Sequence, residues 1–274
     1  MRDGRRTLYP KAMIVKSVIP ITPEQVSKCI KDSHKSSSTV PGDLPPGVDK
    51  HYADELSIPV TDVFNSVIRS CKWPSEWSKE YSITVIPKKA TPESFDQLRN
   101  IAYTNFLSKI LGRFVLKWAR DGVRPGLNQY GGERGCGPAH MLIETTQYVT
   151  SALEDNRAAV IATSMDYSKA FNRLNHLSCI GSFMEKGASG HVLKLIAGFL
   201  IGLTMVVKVG ATRSHPRSVT TGALQGSVLG AYLFNIGIDS IEVGCNFPGE
   251  RNERCGDSIP DCERTALDKK TKGS

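Results

Sequence analysis

The chain has 274 residues and lacks several features that would place it at once. No CxxC pair occurs, and no histidine follows Cys245, so the late trio Cys245, Cys255 and Cys262 does not read as a zinc site. The seven cysteines are odd in number and scattered, which fits reduced thiols better than a disulfide framework. No long apolar run is present. The most apolar stretch, "LIAGFLIGLTMVV" at 195–207, is too short to cross a bilayer. The N-terminus "MRDGRRTLYPKAM" is basic but has no apolar core of the kind a signal peptide needs. No internal repeat is evident. These absences lead us to expect an intracellular protein of cytoplasm or nucleus, with no membrane partner.

What is there suits a packed domain. Hydrophobic residues make up 40% of the chain, enough for one large domain or two smaller ones. The formal net charge of +8 favours nucleic acid or another anionic partner, though charge alone is weak evidence.

The pattern along the chain mixes helices and strands. "ITPEQVSKCIKD" predicts a helix with Thr22 as N-cap and Gln25 completing a capping box. "SHKSSSTVPGDLPPG" predicts a loop. Apolar residues at 60, 63, 64, 67 and 68 mark one helical face, which "KWPSEW" ends. "YSITVIP" predicts a strand stopped by Pro87. Apolar residues at 106, 107, 110, 111, 114, 115 and 118 predict an amphipathic helix. Further helices are expected in "AHMLIETTQYVTSALED", "LSCIGSFMEKG", "VLKLIAGFL" and "SVLGAYLFNIGIDSIE". "TMVVKVG" predicts a strand, and so does the small-residue run "AAVIATSM" that ends at Asp166. Gly230 and Gly237 each cost their helix roughly 1 kcal/mol, so tertiary contacts should hold it. The charged stretch after residue 245 is expected to be a mobile tail.

Three motifs could carry chemistry, and each has a plainer reading. Asp166 at a strand end could hold Mg²⁺, a hard cation that takes oxygen ligands; a lone aspartate there more often opens a turn. Phe171 is more often core than gate. In "TTGALQGSVLGAYLF", Gly226 permits close backbone approach and Gln225 offers an amide beside it; an ordinary loop with Ser227 as helix cap would look the same. Lys88, Lys89 and Arg99 stand on a strand-loop-strand segment that could cover a polyphosphate, or they form a solvated basic loop.

Order and spacing are more specific than any one motif. "PGDLPP", "IPVTDVFNSVI", "WPSEW", "VIPKK", "LSKIL", "NQYGGERG", "MDYSKAFNRLNH", "VVKVG" and "LQGSVLGAYLFNI" follow one another between about Ile21 and Glu242. In this the chain resembles the reverse transcriptase domain of non-LTR, LINE-type retrotransposons.

The resemblance implies an α+β, right-hand polymerase fold, with fingers and a partial palm here and the thumb absent. Residues 1–48 would lead into fingers at 49–157, a partial palm at 158–244 and the tail at 245–274. It implies copying of RNA into DNA by two-metal nucleotidyl transfer, with Mg²⁺ as cofactor. The partners would be an RNA template, a DNA primer and deoxynucleoside triphosphates. Asp166 matches the first metal-binding aspartate, assisted by the Tyr167 backbone carbonyl. Phe171 matches the aromatic gate that excludes a 2′-hydroxyl. Gln225 and Gly226 match the motif along nucleotide and template. Lys88 or Lys89, with Arg99, match the cations over the triphosphate.

The chain also departs from the family pattern. No paired-aspartate hairpin follows residue 242; Asp257 and Asp261 are isolated. Leu224, Asn172 and Leu203 stand where relatives usually or often have proline, aspartate and arginine. We therefore expect an incomplete copy or a fragment of a longer product, inactive by itself. No endonuclease-like segment is recognised. The alternatives are a non-catalytic nucleic-acid-binding remnant and an RNA-directed RNA polymerase. Phe171 argues against the latter.

Overall fold

A computed structural model of the chain describes residues 20–33, 47–78, 80–94, 97–126, 129–133, 135–154, 160–162, 164, 166–188, 190–209 and 212–239. The chain divides into two compact units, Met1–Met141 with Ser164–Ser240, and Leu142–Thr163 with Ile241–Ser274. All the motif residues named above belong to the first unit. The expected loop at 34–46 and the expected tail after 245 lie outside the described residues, as do Cys245, Cys255 and Cys262.

Helix α1 (Pro23–Lys31) begins as its sequence dictates. Thr22 accepts from the Gln25 N–H, Gln25 Oε1 accepts from the Thr22 N–H at 3.1 Å, and Pro23 occupies the first turn, where no donor is needed. Short α2 (Val48–His51) precedes α3 (Ala53–Ser70), against which α1 packs. Helix α3 is longer than its apolar spacing indicates. Its first turn carries Asp54 and Glu55, which suit the positive helix end, and Pro59 lies inside it. Its buried face is Val60, Phe64, Val67 and Ile68 with Ser57 and Thr61, while Val63 is exposed. Thr61 can be buried because its hydroxyl donates to Ser57 O at 2.6 Å. Cys71, at φ 53°, ends the helix, and "KWPSEW" leads into the single turn α4 (Ser75–Ser78).

Strand β1 (Glu80–Pro87) is central. It pairs antiparallel with β2 (Leu98–Tyr103) on one side and parallel with β3 (Leu203–Val209) on the other. The far edge of β3 is taken by two short strands, β4 (Thr212–Arg213) and β5 (Arg217–Val219), both antiparallel. The long crossover between β1 and β3 carries α5 (Phe106–Gly122), α6 (Pro138–Glu154), the turn α7 (Ala170–Arg173), α8 (His176–Glu185) and α9 (Gly190–Leu200). Helix α5 buries Phe106, Ile110, Leu111, Val115 and Ala119 in the same core as Leu195, Ile196, Phe199 and Leu200 of α9. Trp73 ties α3's exit to α9, donating to Leu195 O at 2.9 Å and lying against Phe199. The architecture is mixed α and β, as expected.

Helix α10 (Gly230–Ile238) buries Leu229, Tyr232, Leu233 and Ile236. Its two glycines are there for contact. A Cβ on Gly230 would stand 2.6 Å from Leu224 O, and one on Gly237 would collide with the end of the Leu174 side chain. Burial pushes the Cys179 thiol up to about 12, so it is an inert wall. At the end of α10, Asp239 accepts from the Gly126 N–H at 2.7 Å and pairs with Lys186 at the end of α8.

One expectation fails. None of the described residues 160–162 and 164 is in a strand, and Ile161 is 90% exposed. A strand needs a ladder partner, which strand composition alone does not supply.

Candidate nucleotide-binding site

The loop 220–226 links the other two motifs. At its start, Asn175 and Thr221 form an antiparallel bridge. Gly222 N–H then donates to Leu174 O, and Ala223 N–H to Phe171 O, each at 2.7 Å. At its end, Gln225 O accepts from the Ala102 N–H of β2 at 2.8 Å. Gly226 (φ +110°) passes so close that a Cβ would stand 2.5 Å from Ala102 O. A side chain there would fail on both backbone conformation and space. The loop is thereby bonded to the segment that follows Asp166 and to the basic hairpin.

Buried His176 braces this link. Its Nε2 lies 2.9 Å from Gly222 O, and since a carbonyl only accepts, Nε2 carries the hydrogen. Sequence reasoning missed His176, because only the loop's return makes it a support.

The hairpin β1–β2 brings Lys88, Lys89 and Arg99 to one end of the sheet, all exposed. Lys88 N–H donates to Gln97 O at 2.7 Å, which closes the hairpin base. Lys89 pairs loosely with Glu93 at 3.4 Å, an exposed contact of little energetic weight. Arg99 stands opposite Ile86.

Phe171 is 37% exposed and stacks on Phe234 of α10, with ring centroids 4.0 Å apart and planes 16° apart. The second ring fixes where the first can sit. Phe234 was also missed, since its spacing on α10 gives no hint of which ring it meets.

Asp166 and Tyr167 are exposed and outside regular structure. The Tyr167 carbonyl accepts from the Ala170 N–H at 3.3 Å, leaving one lone pair open. Lys169, at φ 56°, makes the sharp turn into α7. Among the described residues no group of three or more His, Cys, Asp or Glu could hold a metal ion. The donors fit Mg²⁺ in part. One carboxylate beside one carbonyl, open to solvent, suits a cation that completes its shell with phosphate oxygens and water.

Comparison with known proteins follows the same line. No family model matches the chain. The probable RNA-directed DNA polymerase from transposon BS of Drosophila melanogaster is 26% identical over 231 residues, 80% of this chain and 25% of that protein. The RNA-directed DNA polymerase from mobile element jockey of the same fly is 28% identical over 181 residues, covering 64% of this chain and 19% of that protein. The Pol polyprotein from the type-1 retrotransposable element R2 of Popillia japonica is 26% identical over 171 residues, 61% of this chain and 24% of that protein. The chain is a relative of LINE-type reverse transcriptases. It spans about a quarter of the length of these reverse transcriptase relatives, or less.

Within that relationship, the loop 220–226 joins one block that carries the sequence resemblance, "MDYSKAFNRLNH", to β2, the hairpin partner of the strand that ends in "VIPKK". Another block, "NQYGGERG", meets α10: Asn235 Nδ2 donates to Gly131 O at 2.6 Å. Arg120 donates to Gly132 O and pairs with Glu133. No helix among the described residues is long and apolar enough to cross a membrane.

Proposed function

We propose that the chain is the nucleotide-binding portion of an RNA-directed DNA polymerase, with a right-hand polymerase fold of which it supplies fingers at 49–157 and part of the palm at 158–244. The observation that carries this reading is the loop 220–226, which bonds to Phe171 O on one side and to Ala102 of the basic hairpin on the other. Backbone hydrogen bonds thus link three motifs far apart in sequence. Each suits a different part of one deoxynucleotide.

Lys88 or Lys89, with Arg99, would face the triphosphate and neutralise its charge. Gln225 and Gly226 would lie along the base and template, where the absence of a side chain at Gly226 permits close approach. Phe171, braced by Phe234, would stand under the sugar and collide with a 2′-hydroxyl. Asp166 and the Tyr167 carbonyl would face the phosphates with Mg²⁺, which when bound supplies charge stabilisation for phosphoryl transfer. RNA template and DNA primer complete the proposed partners.

The donor set favours a second reading: a nucleic-acid-binding remnant without catalysis. The chain holds no adjacent aspartate pair, and among its described residues no group of three or more His, Cys, Asp or Glu could hold a metal ion. A chimera separates the two. The chain would be joined to the downstream part of a relative that carries a paired-aspartate hairpin. On the polymerase reading this protein extends a primer on RNA with deoxynucleotides, and Phe171→Ala lets it use ribonucleotides while keeping some synthesis. A rise in ribonucleotide use of about tenfold or more is expected, since the relieved clash is of the size of a methylene-scale discrimination. Unchanged sugar selectivity would remove Phe171 from the sugar site.

A further inference from the structure

We propose that Phe234 of α10 is a positioning residue that sets the choice between deoxy- and ribonucleotides by holding the ring of Phe171. The inference rests on the polymerase reading, which puts Phe171 under the sugar, and concerns what aims that ring. Turn α7 cannot aim it unaided. It is four residues long and buries none of them, and Phe171 itself is 37% exposed. Its main chain is tied. Phe171 O accepts from the Ala223 N–H at 2.7 Å, and Asn172 N–H donates to Lys169 O at 2.8 Å. The loop 220–226 lies against the same turn, since a Cβ on Gly222 would stand 3.4 Å from Asn172 Cα and 3.5 Å from Phe171 O. These contacts fix the backbone of Phe171. Its two side-chain torsions are left to be set by what the ring touches.

The ring touches Phe234. Their centroids are 4.0 Å apart and their planes 16° from parallel, so one face of Phe171 is covered. Phe234 packs partly buried against the core, on a helix anchored at several points. Tyr232 donates to Val123 O and Asn235 to Gly131 O, each at 2.6 Å, and Asp239 accepts from the Gly126 N–H. The anchored helix, not the exposed turn, thus decides where the Phe171 ring sits. A steric gate discriminates only while it cannot move aside. Leucine at 234 would remove the flat face, and the Phe171 ring could tilt to make room for a 2′-hydroxyl.

The competing explanation is plain packing. A ring that only packs would change stability, or the affinity for both nucleotides alike. A positioning ring changes their ratio, and does so only through Phe171.

The test measures Kd for dATP and for ATP, each with Mg²⁺, on the 274-residue chain by chemical-shift titration. The unaltered chain should prefer dATP. Phe234→Leu should shrink that preference by about two- to tenfold, the factor an aromatic pair is worth, chiefly by tightening ATP. Phe234→Met, an unbranched apolar replacement, is read alongside in case leucine disturbs α10. Phe234→Tyr keeps the ring and should keep the preference. Phe171→Ala/Phe234→Leu should lose no more than Phe171→Ala alone. An unchanged preference in both Phe234→Leu and Phe234→Met would overturn the proposal. So would a further loss in the double variant, or a loss in Phe234→Tyr as large as in Phe234→Leu. If Phe171→Ala abolishes the preference and Phe234→Leu does not, Phe234 alone loses its role and the polymerase reading stands. If the unaltered chain binds neither nucleotide, or both equally, the sugar role of Phe171 falls and the proposal falls with it.

Discussion

Asp166→Ala should abolish primer extension by the chimera that supplies a paired-aspartate hairpin, a loss of at least about 10³-fold. Removing one preorganised donor at a reacting centre costs about 10²–10³ in rate, and a carboxylate that faces two phosphate-bound cations does more. Asp166→Asn should be nearly as severe, because it keeps the shape and removes the charge. The chain alone, with Mg²⁺, RNA template, primer and deoxynucleotides, should give no extension, since among its described residues no group of three or more His, Cys, Asp or Glu could hold a metal ion. Gel analysis of labelled primer reads all of these. A chimera that extends equally well with alanine at 166 would take Asp166 out of the site.

Asp239→Ala should destabilise the chain by about 1–3 kcal/mol, the cost of leaving partly buried donors without their acceptor. Asp239 and Lys186 keep only 11% and 16% of their side-chain surface exposed. The same carboxylate accepts from the Gly126 N–H at 2.7 Å, so its loss also orphans a backbone donor. One residue thus ties the ends of α8 and α10 to the segment after α5. A domain of ordinary stability keeps about 5–15 kcal/mol in total, so the variant should unfold at much lower urea. Adding Lys186→Met should recover a good part of the loss, because an apolar side chain needs no counter-charge. A loss under about 0.5 kcal/mol in Asp239→Ala would show that these contacts are not held in solution.

Much of the fold was readable because local signals and tertiary demand agree. The capping box at Thr22 and Gln25 fixes where α1 starts, and the spacing at 106–118 fixes α5. β1 and β3 announce themselves by β-branched residues. Elsewhere the two levels part. Pro59 and two acids disguise the first half of α3, which is a helix because its later turns are packed and its first turn suits negative charge. β4 and β5 are too short to show a pattern and exist as returns on β3. The run ending at Asp166 has strand composition, but none of its described residues 160–162 and 164 is in a strand. The glycines of α10 look like liabilities until Leu174 and Leu224 are seen against them.

The site divides in the same way. Asp166, Phe171, Gln225 and Gly226 could be singled out from motif order. Phe234 and His176 could not, since their importance arises from a ring and a carbonyl brought to them by remote segments. The φ of +110° at Gly226 and the 2.5 Å approach to Ala102 O give that glycine a reason the sequence alone could only suggest.

On the polymerase reading, the loop 220–226, the turn after Asp166 and the basic hairpin serve one nucleotide. Amide chemical shifts of the ¹⁵N-labelled chain, followed while a deoxynucleoside triphosphate is added with Mg²⁺, test it most directly. The account predicts that Arg99, Ala102, Gly222, Gln225 and Gly226 shift together with residues 166–173 on one binding curve, and that Gly226→Val removes the common response. Shifts confined to one of the three segments, or a response that survives Gly226→Val unchanged, would contradict it.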